Sequence, residues 1–267
     1  RLAIRPGAIG DVICSLPALE YLEPAEIWAP APVLPLLRHM APARSISATG
    51  LDRLEIPGQP AEDVAERLSG FDEVVSWYGS NREEFRAAIS RLGVTTRFLP
   101  ALPSTVEEEQ VRHAVDFYLE AVGAPAGAMP RLPFMAEPDA FAAIHPFSGS
   151  PKKNWPIERF KELAGLLAPP LDVQWCAGPE EELHGAHRFQ DLAGVASWLC
   201  RAAVYIGNDS GISHLAAACG VPVVAMFGAS DPRVWSPRGE IVRVFPFSAS
   251  PAVVSRAAHS MARTRLR

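Results

Sequence analysis

The stretch IGNDSGISHLAAACGVPVVAMFG, Ile206 to Gly228, decides the fold class. It takes over from a short apolar run, AVYIG (Ala203–Gly207), that reads as a buried strand. Asn208-Asp209-Ser210-Gly211 break that strand, Ile212-Ser213-His214 lead into an alanine-rich helix, and VPVVAMF (Val221–Phe227) is a second apolar strand. Strand, helix and strand in close succession are the crossover unit that joins parallel strands.

The same alternation runs along the whole chain. LAIR, AEIWAP, ARSISA, DEVVSWY and VTTRFL read as strands, and DVICSLPALEYL, VLPLLRHM, EDVAERLS, REEFRAAISRLG and EEEQVRHAVDFYLEAVG as the helices around them. A stretch without period and rich in Pro, Ala and Gly follows, Ala121 to Asp139, as a linker does. The rhythm then restarts with FAAIHPF as strand, IERFKELAGLL as helix, LDVQWCA as strand and EEELHGAHRF as helix. Two α/β domains are expected, over residues 1–130 and 131–250, with residues 251–267 forming a basic amphipathic terminal helix. Its apolar residues Val253, Val254, Ala257, Met261 and Leu266 lie near helical spacing, and its arginines are Arg256, Arg263, Arg265 and Arg267. That helix is expected to pack on the first domain; the rival is a helix lying on anionic lipid.

Composition narrows the class. The chain has 267 residues, 48% of them hydrophobic, and no apolar run near the ~18 that a membrane span needs. RLAIRPGAIGD is broken by Pro6 and Gly7 too early for a signal peptide. A net charge of −5 and scattered histidines give no reason to expect nucleic acid. Cys14, Cys176, Cys200 and Cys219 lie far apart in apolar runs, which favours buried, reduced thiols and a cytoplasmic protein. No D-x-D occurs, and no His, Asp or Glu grouping has metal-ligand spacing, so neither a metal nor a cofactor is expected.

Ligands of open parallel sheets bind beyond the carboxyl ends of the strands, and three loops there carry chemistry. In the opening stretch, Ser210, Gly211 and Ile212 enter a helix whose amide groups and dipole suit an anion, with His214 in the first turn. A plain N-cap by Asp209 or Ser210 is the simpler alternative. In HPFSGSPKKNWP (His145–Pro156), Ser148, Gly149 and Ser150 precede Lys152 and Lys153, a set that suits a diphosphate; Trp155 is either a hydrophobic staple or a base platform. In RPGAIGDVICSLPAL (Arg5–Leu19), Gly7 and Gly10 give a tight turn and Asp11 opens a helix that Pro17 interrupts. The dinucleotide fingerprint G-x-G-x-x-G is absent, which speaks against an NAD-dependent oxidoreductase. AGPEEELHG (Ala177–Gly185) offers Glu180, Glu181 and Glu182 either as helix-dipole partners or as a ribose-binding acid.

RPGAIGDVICSLPAL, HPFSGSPKKNWPIERFKEL and GNDSGISHLAAACGVPVVAMFGASDP, in this order, resemble the bacterial lipopolysaccharide heptosyltransferases, glycosyltransferase family 9. The string D-S-G-x-x-H-L-A-A, followed by a strand and F-G-x-x-D-P, is the specific part; Pro24 to Gly123 carries no motif of the family. The resemblance implies a GT-B fold, two Rossmann-like domains facing a central cleft. It also implies inverting, metal-independent transfer of a sugar, heptose from ADP-heptose, to a glycan or glycolipid acceptor such as lipopolysaccharide core. The compartment would be the cytoplasm, with peripheral association at the inner face of the membrane. By the same resemblance Asp11 matches the catalytic base, Lys153 the phosphate-binding lysine and Ser148 a hydroxyl contacting phosphate. Asp209, Ser210, Gly211 and His214 match the donor motif, and Glu181 the ribose-binding acid, with Glu180 and Glu182 close in register. The alternatives are a GT-B transferase with another nucleotide-sugar and acceptor, or a nucleotide-sugar-binding protein without catalysis.

Overall fold

A computed structural model describes residues 1–54, 62–103 and 111–267. The chain divides into two compact units, Arg1–Glu108 with Ala114–Ala128, and Glu109–His113 with Met129–Arg267.

The first unit holds strands β1 (Leu2–Ile4), β2 (Glu26–Ala29), β3 (Ala43–Ser45), β4 (Val74–Ser76) and β5 (Thr96–Phe98). They form one parallel sheet in the order β3-β2-β1-β4-β5. Leu2, Ile4, Trp28 and Val74 pack with Leu51, Val64, Leu68, Phe85 and Ile89 in its core. The segment DVICSLPALEYL, read as one interrupted helix, is two: Ile9–Cys14 and Leu16–Leu22. Pro17 falls in the first turn of the second helix, where its missing N–H costs nothing, so the strain expected of an interior proline does not arise. Gly10 lies inside the first of these helices rather than in the turn before it; the turn belongs to Gly7 alone, at φ +117°. The helix expected from Glu107 onward begins at Ala114 and ends at Val122, and its expected start at 107–110 lies outside the described residues.

The second unit holds β6 (Asp139–His145), β7 (Asp172–Trp175), β8 (Ala202–Asn208), β9 (Val223–Phe227) and β10 (Val242–Pro246). They also form a parallel sheet, in the order β10-β9-β8-β6-β7. All seven residues of β8 are buried, as a strand covered on both faces must be. In each sheet the winding reverses beside the unit's first strand, between β1 and β4 and between β6 and β8. Loops leaving the carboxyl ends of two such neighbours diverge to opposite faces and open a crevice, the usual ligand position of this architecture.

Three readings need correction here. EEELHGAHRF is not helical: Gly185 has φ +76°, and the segment turns back so that His187 bridges Cys176 alongside the sheet. Its three glutamates therefore have no helix dipole to complement. The crossover helix comes later, at Leu192–Leu199, where Asp191 supplies the cap by accepting a hydrogen bond from Gly194 N at 2.9 Å. A strand the sequence reading passed over, β10, closes the edge beside β9. The terminal helix Pro251–Arg265 buries its stripe within the second unit's own core. Val254, Ala258, Met261 and Ala262 are buried with Phe160, Leu163 and Leu167 of the helix Ile157–Leu167 and with Val204 and Ile206 of β8. Val253 and Leu266, expected in the stripe, are exposed. The reason is geometric: β8 is central, its face beside the helix Ile157–Leu167 must be covered, and the chain after β10 supplies the cover.

Because Met261 is 3% exposed within that core, Met261→Ala is expected to destabilise the protein by about 2–5 kcal/mol. Urea unfolding followed by tryptophan fluorescence measures this; a loss below about 0.5 kcal/mol would mean that the helix is only laid on the surface.

Candidate functional site

In the second unit the crevice is built around Asn208, the last residue of β8 and 0% exposed. Its side-chain oxygen accepts a hydrogen bond from Trp155 N at 2.8 Å, and its amide nitrogen donates to Pro146 O at 2.7 Å. The loop after β6 is thus tied at both ends to the end of β8. Inside it Ser148 Oγ lies 2.7 Å from Asn154 Oδ1 and 2.8 Å from Ser150 O, donating its one proton to either acceptor and closing a compact turn. Pro151–Lys153 then form one 3-10 turn. This splits the two lysines: Lys152 points to solvent, while Lys153 Nζ lies 2.7 Å from Asp209 Oδ2. Asp209 is buried, and the same oxygen accepts a hydrogen bond from Ser230 Oγ in the loop after β9. Trp155 is a core residue, its ring edge-on to Phe160 and its indole N–H donating to Phe247 O at 3.1 Å, so a base-stacking role is excluded.

The helix Gly211–Ala218 begins at the same place. Ser210 is its N-cap residue, yet its side chain makes no capping bond and instead lies 3.4 Å from Ser213 Oγ. Asp209 Oδ2 is paired with Lys153. The first amide groups, at Gly211 and Ile212, are therefore not taken up by a side-chain cap, and the helix end keeps its preference for an anion. Ser213 Oγ donates to Asn208 O at 2.5 Å, fixing the helix start to the strand end. His214 is buried within the helix. One ammonium, one helix N-terminus and the Ser148 turn thus meet at the switch point of the sheet.

Of the three glutamates only Glu181 turns inward; Glu180 and Glu182 are exposed. Glu181 Oε2 sits 3.0 Å from His145 Nε2 and accepts the Gly178 N–H at 2.6 Å. Arg188 holds the same turn by donating to Gly178 O and to Glu181 O. Partial burial alone would raise the Glu181 carboxyl. The hydrogen bonds from His145 and Gly178, with the Arg188 guanidinium nearby, outweigh it and hold the group below the usual glutamate value.

In the first unit the loop after β1 rests on Arg5, which is 1% exposed. Its guanidinium donates to Ser15 Oγ at 2.9 Å, Pro6 O at 2.8 Å and Asp11 O at 2.7 Å, and lies 4.4 Å from the centre of the Tyr118 ring. Burial pushes the Tyr118 hydroxyl up to about 12 even with Arg5 pulling it down. Asp11, half-buried in the first turn of its helix, accepts the Ala8 N–H on Oδ2 at 2.9 Å. A Cβ on Gly7 would stand 2.8 Å from Asp11 Cβ, so glycine is needed there for space as well as for φ. Asp11 is therefore a cap; its second oxygen still has acceptor capacity, so a cap and a base are compatible.

Asn208, Asn154, Ser230, His145 and Arg5 were not singled out from the sequence. For Asn208, His145 and Arg5, a polar residue directly at a strand end was the local signal; Asn154 and Ser230 lie within loops and carried none. Among the described residues, no group of three or more His, Cys, Asp or Glu is placed to hold a metal, and no helix is long and apolar enough to cross a membrane. All four cysteines are buried, and none forms a disulfide among the described residues.

Two doubly wound parallel sheets, each with polar residues gathered at its switch point, make this a two-domain α/β protein of the GT-B class. Residues 124–259, half of the chain, match the family model described as glycosyltransferase family 9 (heptosyltransferase), and the chain belongs to that family. It is similar to lipopolysaccharide heptosyltransferase 1 of Escherichia coli (strain K12), 36% identical over 95 residues that span 30% of this chain and 29% of that protein. Lipopolysaccharide heptosyltransferase 3 of the same strain is 37% identical over 127 residues, 40% of this chain and 36% of its own. The chain thus spans about a third of the length of the curated relatives it matches. The fold is shared over its whole length with solved structures. E. coli heptosyltransferase WaaC with ADP has a TM-score of 0.69 at 19% identity, over 97% of this chain and 99% of that one. E. coli ADP-heptose lps heptosyltransferase II has 0.74 at 17%, over 100% and 99%. The glycosyltransferase TibC from enterotoxigenic E. coli, described as iron-containing and dodecameric, has 0.61 at 16%, over 98% and 76%.

A depressed carboxyl contributes stability above its unfolded value and loses it as pH falls through the folded one. Glu181 should therefore add to stability above about pH 4.3 and cease to do so in more acid solution. Glu181→Gln is expected to flatten the acid limb of stability measured by urea unfolding between about pH 3 and 7. An unchanged slope would show that the His145 contact is not made by an ionised carboxylate.

Proposed function

We propose that the protein is an inverting glycosyltransferase that moves a sugar, heptose from ADP-heptose, to a cell-envelope glycan acceptor such as lipopolysaccharide core, without a metal at the reacting centre. The observation that carries this is the meeting of Lys153, Asp209 and the uncapped start of Gly211–Ala218 at the switch point of the second sheet. The names of the relatives support it, as does the ADP in the WaaC structure. The compartment that goes with this donor and acceptor is the cytoplasm, at the inner face of the membrane.

Each residue has a distinct task in this reading. Lys153 has three N–H donors and gives one to Asp209, which aims the ammonium and leaves the rest for phosphate oxygens. The amides at Gly211 and Ile212 take a second phosphate face. Ser148 and Lys152 add a hydroxyl and a long-range positive charge. Glu181 accepts from the ribose hydroxyls. Asp11 takes the proton from the acceptor hydroxyl as that oxygen attacks the anomeric carbon and the bond to the diphosphate breaks. The negative charge that develops on ADP falls on Lys153 and the helix start, which are already oriented. Asp209 and His214 hold this machinery in place from inside the unit.

Two outcomes follow. Lys153→Ala is expected to weaken ADP binding by roughly 10–100-fold, the range of a charge-assisted hydrogen bond, while wild-type binding in calorimetry is the same with and without EDTA; a strict Mg²⁺ requirement would sink the metal-free reading. Asp11→Asn keeps an oxygen for the Ala8 N–H but removes the base. It should lower kcat by roughly 10²–10⁴-fold, with ADP affinity and Tm nearly unchanged. Retained turnover with a loss of about 1 kcal/mol or more in stability would reduce Asp11 to a cap.

A further inference from the structure

We propose that His145 is a positioning residue that sets the Glu181 carboxylate for a ribose diol, and so makes the donor site discriminate ribose from deoxyribose; this rests on the reading of Glu181 given above. His145 is the last residue of β6, a strand paired on one side with β8 and on the other with β7, and it is 5% exposed. It is thus part of the rigid sheet. Glu181 is not: it lies in the irregular segment after β7, and its own other ties are local, to Gly178 N and the exposed Arg188. The 3.0 Å contact from His145 Nε2 is the bond that refers the carboxylate to the sheet.

The hydrogen-bond geometry fixes how that bond is made. His145 Nδ1 is buried and has no hydrogen-bond partner among the described residues. A proton on Nδ1 alone would strand a buried N–H and turn the Nε2 lone pair against a carboxylate oxygen. The arrangement that fits is Nε2–H donating to Glu181 Oε2, with Nδ1 bare. Burying an imidazole with one nitrogen unsatisfied is unfavourable, and an apolar side chain would fill the same place without that cost. What the imidazole supplies is the Nε2–H. Since Gly178 N also bonds Oε2, both constraints act on one oxygen, and Oε1 is the atom left for a hydroxyl donor. A carboxylate so held meets a cis-diol in one orientation, and the acid after the second strand of a Rossmann-like unit is the usual partner of ribose hydroxyls.

The test is calorimetry with ADP and with 2′,3′-dideoxy-ADP on the full chain. Wild type should prefer ADP by about tenfold or more, the worth of hydrogen bonds to a charged group. His145→Ala and Glu181→Gln should each remove most of that preference by weakening ADP alone. The double variant should be no worse than either single one, and His145→Gln, whose amide reaches the Nε2 position, should recover part of it. Equal weakening of both nucleotides in His145→Ala would make the residue a mere support of the loop and overturn the proposal. Discrimination lost in Glu181→Gln but kept in His145→Ala would overturn the positioning role while sparing the ribose reading. Discrimination kept in Glu181→Gln would overturn that reading, and this proposal with it.

Discussion

The buried amide of Asn208 is the constraint on which the second unit depends. A side chain with no exposure must satisfy its polar atoms internally, and Asn208 does so with backbone groups of the neighbouring loop, Trp155 N and Pro146 O. Leaving either unpaired would cost about 1–3 kcal/mol. The same residue's carbonyl accepts the Ser213 hydroxyl, so one position anchors the loop after β6 and the helix after β8 together. Lys153 then starts from a fixed base, two residues before the anchored Trp155. Its ammonium reaches Asp209 because Asp209 directly follows Asn208. The anion-binding character of the crevice follows from this knot.

The loop after β1 solves a similar problem with a charge. Among the described residues no carboxylate pairs with the buried Arg5 guanidinium; its hydrogen bonds go to two carbonyls and a hydroxyl, and its faces meet Tyr118 and Trp77. Hydrogen bonds to every accessible edge and aromatic faces beside the plane are what make such burial tolerable. The arrangement also grips the backbone carbonyl of Asp11, while Gly7 clears the space its side chain occupies. A carboxylate held at both its backbone and its Oδ2 is well placed for a task that depends on angle.

The terminal helix and the crossover helix show where sequence reasoning went astray. Amphipathic spacing in SPAVVSRAAHSMARTRLR correctly implies a buried stripe, but a stripe does not say which surface covers it. The uncovered face of β8, beside Ile157–Leu167, decided that. EEELHGAHRF has the composition of a helix opening, yet Gly185 takes a positive φ and His187 N bonds Trp175 O at 2.7 Å, so the segment follows the sheet edge instead. Asp191, a capping residue with its acceptor aimed at Gly194 N, was the better helix signal.

What the sequence by itself determined was the alternation of strand and helix, the two α/β halves and the loops where polar residues interrupt apolar strands. Those follow from local patterns of hydrophobicity and backbone preference, which act over a few residues. It also placed Asp11, Lys153, Asp209, Ser210, Gly211 and the run Glu180–Glu182 in the segments that follow strands, because a buried strand can change to polar residues only where it leaves the sheet. Which of them meet was decided by the tertiary structure. Lys153 and Asp209 are far apart in sequence and come together only because β6 and β8 are neighbours at a switch point. Lys152 is one residue from Lys153 and faces solvent, since a 3-10 turn points successive side chains apart. Glu181 differs from Glu180 and Glu182 in turning inward to face the strand residue His145. Contacts of that kind depend on strand order and register, and no short-range pattern records them.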